Sequence, residues 1–551
     1  MCFGIEKASL FCYNFRYHKE INRRTCLSHM AMNDNILNLE NGQLYLNLSI
    51  PLDKTYSSYI EALDALYSSL DYSLFCREEK RGRPFAIHPR KMMVLLIYAY
   101  MNGTFSSREI EKLMKRDCVC MRILGMDKIP DHSTIDRFIR NSHEAIADIM
   151  RQSVMRLREL GELDGRTVFQ DGTKIESAAG KYTFVWRTGC EKNLEKALMR
   201  VSAISSSYGL EADVTEKNVM AVMDSIEDLM QKRGIRYPSS CGRGHHLSQE
   251  QKDWKKIREE KEKIRDYIIW IRKMKESGRN SLSKTDEDAT FMRMKEDYMR
   301  NGQLKAAYNM QNLVQNGYVI ACGAFMDRTD YRTMIPMLEK LEKDGFSYDS
   351  YCADSGYDIK ENYRWLDEHE KKAYIKPQYH EENRKRKRRK NPSLKCNYSY
   401  DEGNDTFTCM RGHTLHHEED LKDGRSVYVC RRGCKSCPLR KQCMLSTADK
   451  HDYKRLTIDI EAEKYRRKSE VLITSEKGIE MRINRSIQAE GSFSLLKAAF
   501  GYRRFRTHGI RNIETEWMIL CMAGNALRYS VRLANGRAGT PFWFRIEQQA
   551  S

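Results

Sequence analysis

The sequence predicts an α/β protein of several domains. Three observations carry this. Residues 305–376 alternate strand, helix, strand, helix, strand; residues 165–187 have the β-branched and aromatic make-up of strands; residues 50–150 and 190–280 repeat apolar residues at helical spacing. With 551 residues, 41% hydrophobic and 10% aromatic, the chain has length for about three or four domains and enough apolar side chains to build cores, which excludes wholesale disorder.

Residues 1–45 show no clear period and read as a poorly defined extension. Residues 46–160 read as a helical domain. Pro89 opens the apolar helix Lys91-Met-Met-Val-Leu-Leu-Ile-Tyr-Ala-Tyr100, and Asn102-Gly103 closes it. Ser106 with Glu109 has the spacing of a capping box for a helix reaching about Arg116. After Pro130-Asp131, Ser133 with Asp136 reads as another N-cap, followed by Ile135, Phe138, Ile139, Ile146 and Ile149 on one face. Arg108, Lys112, Arg137 and Arg140 fall on exposed positions of these short helices, as a helix-turn-helix-like DNA binder requires.

Residues 161–190 predict the first strands of the core, with Arg166–Asp171 and Lys181–Arg187 as a hairpin around Gly180. Residues 191–300 predict a helical insertion. Leu194, Leu198, Val201 and Ile204 share one face, as do Val219, Val222, Met223, Ile226, Leu229 and Met230, and then Trp254, Ile257, Ile264, Tyr267, Ile268 and Ile271. These stripes read as packing faces, and His245-His246 as surface histidines. Residues 301–380 continue the core with a strand at Gly317–Phe325, a helix at Met334–Lys343, a strand at Tyr348–Asp354, a helix at Lys360–Lys371 and a strand at Ala373–Pro377, in parallel arrangement. Residues 381–455 hold the seven-residue basic run Arg384–Lys390, read as a solvated flexible segment able to grip DNA, and a cysteine-rich insertion. Residues 456–535 form a helix-rich end and 536–551 a tail.

The 95 Lys and Arg outnumber the 76 Asp and Glu, for a net charge of +19, so a polyanion, nucleic acid first, is the expected partner. The mean hydropathy of −0.69 and a longest apolar run of only Met92–Met101 exclude a membrane-spanning class. No signal peptide is visible, so the 17 cysteines are expected as thiols in a reducing compartment, clustered ones binding metal.

Three acids stand out by context. Asp171 ends one expected strand before Gly172, and Asp354 ends another before Ser355-Gly356; parallel strand ends are where α/β sheets place ligands. Glu490 lies in an expected helix from about Gly478 to Phe500, and Lys497, seven residues on, falls within ~20° of the same face. Two strand-end aspartates and a helical glutamate suit Mg²⁺ or Mn²⁺, whose two-ion sites act on phosphodiesters.

Asp171-Gly-Thr-Lys174, Ala353-Asp-Ser-Gly-Tyr357 and Asn484-Arg-Ser-Ile-Gln-Ala-Glu-Gly-Ser-Phe-Ser-Leu-Leu-Lys497 resemble, in order, the three catalytic blocks of bacterial insertion-sequence transposases of the DDE class. Arg503-Arg-Phe-Arg506, Lys284-Thr-Asp-Glu-Asp-Ala289 and Asn301–Asn309 fit the same pattern. His88-Pro89, Ser106–Glu109 and Pro130–Phe138 are similar to the helical domain preceding that core in one large subgroup. The resemblance covers most of residues 45–530. It implies a ribonuclease-H-like mixed sheet core, metal binding by Asp171, Asp354 and Glu490, and DNA contact by Lys497. Such enzymes often carry Arg four residues before the glutamate. Here that position is Ser486, and Arg485 lies five before, rotated about 140° from Glu490 on a regular helix, so only its long side chain would bring it to phosphate. Arg503, Arg504 and Arg506, interleaved with Tyr502 and Phe505, are further candidates to track DNA.

In the cysteine segment, Cys434-x-x-Cys437 lets two thiolates bind one tetrahedral Zn²⁺, and Cys409 and Cys443 complete a candidate set of four. Cys396, Cys430, His413, His416 and His417 are alternates. A closed thiolate site is structural.

The expected function is thus a metal-dependent transposase that binds terminal inverted repeats in double-stranded DNA, cuts, and transfers strands. It would act as a homodimer or larger assembly, because two ends must be joined, in the cytoplasm at the nucleoid. The alternatives are a catalytically inactive transposase-derived DNA-binding protein and a plain metal-dependent nuclease.

Overall fold

The computed structural model describes residues 37–40, 43–46, 54–77, 87–125, 127–180, 183–210, 213–238, 247–294, 302–444, 452–540 and 542–543. His245-His246, most of the 1–45 extension and the end of the tail lie outside the described residues. The architecture is mixed α/β, as expected. It divides into two compact units: Met1–Thr173 with Asn309–Arg503 and Arg511–Ser551, and Lys174–Tyr308 with Arg504–Ile510. No described helix is long and apolar enough to cross a membrane.

The first unit begins with an antiparallel strand pair, Leu37–Glu40 with Gln43–Leu46, followed by helices, among them Lys54–Tyr67, Pro89–Met101, Ser107–Met114, Cys118–Leu124, His132–Asn141 and His143–Glu159. Pro89–Met101 is the hub. Its apolar run leaves Leu95, Leu96, Ile97 and Tyr98 fully buried, and each such side chain contributes about 1.5–3 kcal/mol. Two caps differ from expectation. Ser106 makes no side-chain cap bond, so the Ser106–Glu109 capping box is absent. The helix expected to start at Ser133 is capped by Asp131, whose Oδ1 accepts from Thr134 N–H at 2.7 Å; the acid directly after Pro130 reaches the orphan amide first. Arg108, Lys112, Arg137 and Arg140 are exposed, as their pattern indicated.

The six-stranded central sheet orders Lys372–Ile375, Ser350–Ala353, Thr167–Glu176, Leu304–Gln315 and Thr290–Arg293, and Tyr318–Phe325 pairs with Leu304–Gln315 as well. The first two strands pair in parallel, Thr167–Phe169 runs parallel to Ser350–Cys352, and Leu304–Gln315 is antiparallel to Tyr318–Phe325. Helices Met334–Lys343 and Lys360–Glu368 fall where expected. The all-parallel arrangement does not hold, because a tight turn at Asn316-Gly317 folds Leu304–Gln315 and Tyr318–Phe325 into a hairpin. Helix Ile510–Ala534 is buried along most of its length. Trp517 Nε1 donates to Asn312 Oδ1 at 2.8 Å.

The cysteine-containing segment builds a five-stranded antiparallel meander, from Ser399–Asp401 to Lys454–Ile458, around Tyr398, Phe407, Leu415, Tyr428, Leu456 and Ile458. The basic run is not a structureless segment. It forms short turns of helix, His380–Arg384 and Arg386–Arg389, and the second buries no residue.

In the second unit, Arg187–Ser207, Val219–Lys232 and Gln249–Glu276 pack their apolar stripes together, with Leu194, Val201, Val222, Ile226, Trp254 and Ile264 inside. The expected hairpin of 166–171 with 181–187 is not formed. Phe184–Trp186 pairs instead with Ser281–Ser283, because the helical excursion returns the chain there. In the Lys284–Ala289 block, Asp286 Oδ1 accepts from Tyr308 OH at 2.7 Å and from Gly509 N–H at 3.1 Å.

Candidate active site

Asp171 does not end its strand, which runs on to Glu176, because the strand has a second neighbour in Leu304–Gln315. It does lie just past the reach of Ser350–Ala353. That parallel register pairs Thr167 with Ser350, Val168 with Tyr351 and Phe169 with Cys352. Continued two residues, it sets Asp171 level with Asp354 on strands ~4.8 Å apart, with side chains on one face. Asp354 caps a short turn, its Oδ1 accepting from Gly356 N–H at 2.7 Å. Asp171 Oδ1 accepts from Gly172 N–H at 2.9 Å.

The third acid arrives on a helix that is not regular. Helix Glu476–Arg485 continues as a π turn over Ser486–Glu490, a short α turn over Gly491–Ser494, and a second π turn over Leu495–Ala499 that carries Lys497. The Arg485 rotation expected from regular geometry is therefore corrected. Arg485 Nη2 donates to Glu490 Oε1 at 3.1 Å, and Ser486 Oγ donates to Oε2 at 3.2 Å. The same wide turns remove the regular-helix basis for setting Lys497 on the face of Glu490.

Electrostatics ties the group together. Asp171 is raised to about 6, by burial first and also by Asp354 and Glu490, against the pull of Arg485. Burial disfavours the charged Arg485, yet Asp171, Asp354 and Glu490 outweigh this and hold the guanidinium firmly protonated. One arginine thus bonds Glu490 directly and acts through its charge on Asp171 and Asp354. Among the described residues no three His, Cys, Asp or Glu side chains converge tightly enough to hold a metal ion as they stand.

A fourth acid escaped the sequence reading. Asp330 Oδ1 accepts from Asn309 Nδ2 at 2.8 Å and Gln311 Nε2 at 2.7 Å. The only sequence signal was an acid shortly after a core strand, too common to single out.

The basic candidates separate. Arg503 and Arg506 are exposed. Arg504 donates to three carbonyls, of Ser177 at 3.0 Å, Ala178 at 3.0 Å and Ala179 at 2.8 Å, which is a structural tether. Tyr502 and Phe505 are each 2% exposed and belong to the core, so they do not interleave with the arginines on a DNA-facing surface.

Cys409, Cys430, Cys434, Cys437 and Cys443 line one cavity of about 30 Å³ beside His413 and Tyr398. Tyr398 OH lies 3.3 Å from Cys443 Sγ, and Cys430 Sγ donates to Arg432 O at 3.1 Å. Cys396 is exposed and does not line it.

Residues 408–530 match the family model of a transposase DDE domain, and residues 46–141 match the transposase domain DUF772. No curated protein and no solved structure matches the chain. The first match spans Arg485, Glu490 and the four candidate cysteine ligands; the second spans the helices that expose Arg108, Lys112, Arg137 and Arg140. Two transposase domains, carried in this order, indicate an insertion-sequence DDE transposase.

Proposed function

We propose that the chain binds the terminal inverted repeats of its element and catalyses DNA cleavage and strand transfer there, with Asp171, Asp354 and Glu490 as the acids that hold Mg²⁺ or Mn²⁺. The observation that carries this is the parallel register of Thr167–Phe169 with Ser350–Cys352, which, continued two residues, sets Asp171 level with Asp354, with Glu490 brought into the same electrostatic group by Arg485. The strand order supports a ribonuclease-H-like core: Thr167–Glu176 is central, with two parallel strands on one side and an antiparallel hairpin on the other.

The donor set is hard carboxylate oxygen, which fits these ions. When bound, the ions supply activation of water or a 3′-hydroxyl and stabilisation of the leaving oxygen. The chain's residues do the rest. Arg485 offsets the mutual repulsion of the acids and orients Glu490. Arg108, Lys112, Arg137 and Arg140 offer phosphate contacts that position the terminal repeat, while Lys497, Arg503, Arg506 and the run Arg384–Lys390 offer contacts along the strand being cut. Joining two ends in one event requires a homodimer or larger assembly, acting at the nucleoid in the cytoplasm.

The cysteine segment is proposed to hold a structural Zn²⁺ through Cys409, Cys434, Cys437 and Cys443. The support is one small cavity faced by all four. The thiols do not converge on one point as they stand, so the reading requires χ1 rotations between staggered wells.

The test is cleavage and joining of duplex DNA carrying the flanking ends of this gene, with Mg²⁺. The wild-type chain is expected to nick at the repeat boundary and transfer the 3′ end, and Asp354→Asn to lose both. Binding without cleavage by the wild type would favour the inactive DNA-binding alternative. Cutting without joining would favour a plain nuclease.

A further inference from the structure

Asp330 sits between Gly172 of strand Thr167–Glu176 and Gly356 of the turn after Asp354. A methyl group placed on Gly172, the residue after Asp171, would lie 2.7 Å from Asp330 Oδ1 and would also strike Gln311 Nε2. One placed on Gly356, two residues after Asp354, would lie 3.3 Å from Asp330 Oδ2 and 2.9 Å from Asp354 Oδ1. The strand at Gly172 and the turn at Gly356 can approach this close only because both positions lack a Cβ. The carboxylate of Asp330 therefore touches both halves of the site, one oxygen to each.

Its orientation is dictated by a buried relay. Gln311 Oε1 accepts from Gln170 Nε2 at 2.9 Å and from Tyr357 OH at 2.5 Å, so its Nε2 must point the other way, at Asp330. Gln170 is itself oriented by Tyr351 OH, which donates to its Oε1 at 2.8 Å. Asn309 supplies a second amide to the same oxygen of Asp330. The backbone is pinned as well, since Thr333 N–H and Oγ1 donate to Asp330 O at 3.1 and 2.8 Å. With Oδ1 bound by two amides, Oδ2 accepts no hydrogen bond among the described residues and lies on the Gly356 side. Burial first, and then among other groups Asp330, Asp171 and Asp354, raise Tyr357, so the charges of all three carboxylates reach one phenol.

Asp171 and Gly172 point to opposite sides of their strand, so Asp330 lies on the side away from the Asp171 carboxylate and beside the Asp354 turn, where a further negative charge is unfavourable unless donors and a cation offset it. The amides of Asn309 and Gln311 offset part. We propose that Asp330 is a positioning residue of the transposase site: it wedges the strand of Asp171 and the turn after Asp354 at their working separation and adds negative charge nearby that helps draw a divalent cation to them. This rests on the active-site reading above.

The test titrates Mn²⁺ into the full-length chain by calorimetry, alongside DNA-end cleavage at varied Mn²⁺ and thermal unfolding. Asp330→Asn keeps the shape and removes the charge. It is expected to bind Mn²⁺ about 10–100-fold more weakly and to recover cleavage as Mn²⁺ is raised. Asn309→Ala, which frees one of the two clamps, is expected to shift affinity in the same direction by less, and it serves as the reading if Asp330→Asn does not fold. Wild-type Mn²⁺ affinity in both variants, with Asp171→Asn losing it, would overturn the role of Asp330 and spare the site. So would lost cleavage in Asp330→Asn that no Mn²⁺ concentration restores while affinity is unchanged. If the wild type binds no Mn²⁺, or Asp171→Asn binds it equally well, the active-site reading falls and this role falls with it.

Discussion

Arg485 Nη2 lies 3.1 Å from Glu490 Oε1, although five residues separate them. On a regular α-helix that offset turns two side chains about 140° apart. The π turn over Ser486–Glu490 absorbs one extra residue, so an offset of five does the work that an offset of four does elsewhere. The missing arginine at position 486 is thus compensated by backbone geometry rather than by another side chain. π turns within α-helices occur often at functional sites, and this one adjoins the glutamate of the candidate triad.

Because Arg485 answers three carboxylates, its removal has a signature beyond lost activity. Arg485→Ala leaves Asp171, Asp354 and Glu490 repelling one another without a buried cation, which is expected to lower stability by about 1–3 kcal/mol. A divalent ion that replaces the lost charge binds the folded state and restores it. Mn²⁺ is therefore expected to raise the melting temperature of Arg485→Ala more than that of the wild type, with Arg485→Lys between, since an ammonium lacks the guanidinium fork. Equal Mn²⁺-induced shifts in all three chains would show that arginine and ion do not share the acids.

The cysteine reading separates four ligands from a bystander. Cys430 closes strand Ser426–Cys430 and is 2% exposed; its thiol donates to the Arg432 carbonyl, as Cys443 Sγ does to the Pro392 carbonyl, so burial within the strand is what sets it apart. Protein purified without chelator is expected to carry about one zinc per chain, because a structural site of this kind binds as it folds. Cys434→Ser and Cys437→Ser are expected to lose the metal, whereas Cys430→Ser keeps it. Metal analysis of the three variants decides; zinc-free wild-type protein would end the proposal.

What could be read from sequence was what local rules govern. Pro89 and the turn after Met101 bounded their helix, and three-four periodicity found Met334–Lys343. Strand Leu304–Gln315 was missed as a strand, because Asn309, Gln311, Asn312 and Gln315 break its apolar pattern. They are buried because side chains and backbone from distant stretches bond them, as Trp517 does Asn312 and as Thr167 O does Gln315 Nε2 at 3.1 Å. A polar residue satisfied by a distant partner looks exposed in sequence. The same holds for Asp330, whose neighbours come from three separate stretches of chain, and for Tyr502 and Phe505, whose core contacts no local pattern announces. The acid triad was found by resemblance; spacing alone did not single it out.

Asp131 gives a pH-dependent test in the helical domain. Its carboxylate is held below its usual range, first by the Thr134 N–H at the start of helix His132–Asn141. A depressed folded-state value means that the ionised cap contributes stability above the unfolded carboxylate range, near pH 4, and loses it as pH falls through the lower folded value. Asp131→Ala is expected to melt below the wild type at neutral pH, and the gap to close progressively in acid. Ser133→Ala, one residue past the helix start and uninvolved in the cap, is expected to show no gap at either pH. A gap for Asp131→Ala that persists unchanged in acid would mean the cap does not act through its charge.

Asn525 tests how helix Ile510–Ala534 is fixed to the edge of the sheet. Its Oδ1 accepts from Val319 N–H at 2.9 Å, and its Nδ2 donates to Val319 O at 2.8 Å. Val319 lies in strand Tyr318–Phe325, which has Leu304–Gln315 on one side only, so these are backbone groups that the sheet does not pair. Both residues are buried, at 2% and 4% exposure, leaving no water to substitute. Asn525→Ala orphans a buried donor and a buried acceptor together, each costing about 1–3 kcal/mol, so a loss of about 2–4 kcal/mol in urea unfolding is expected. Asn525→Asp keeps the acceptor for Val319 N–H but sets a carboxylate against the Val319 carbonyl, and it is expected to destabilise as well. Asn535→Ala, whose exposed amide caps only its own helix at Val531 O, is expected to stay within about 0.5 kcal/mol of the wild type. Equal unfolding midpoints for Asn525→Ala and Asn535→Ala would mean that the helix is held by apolar packing alone.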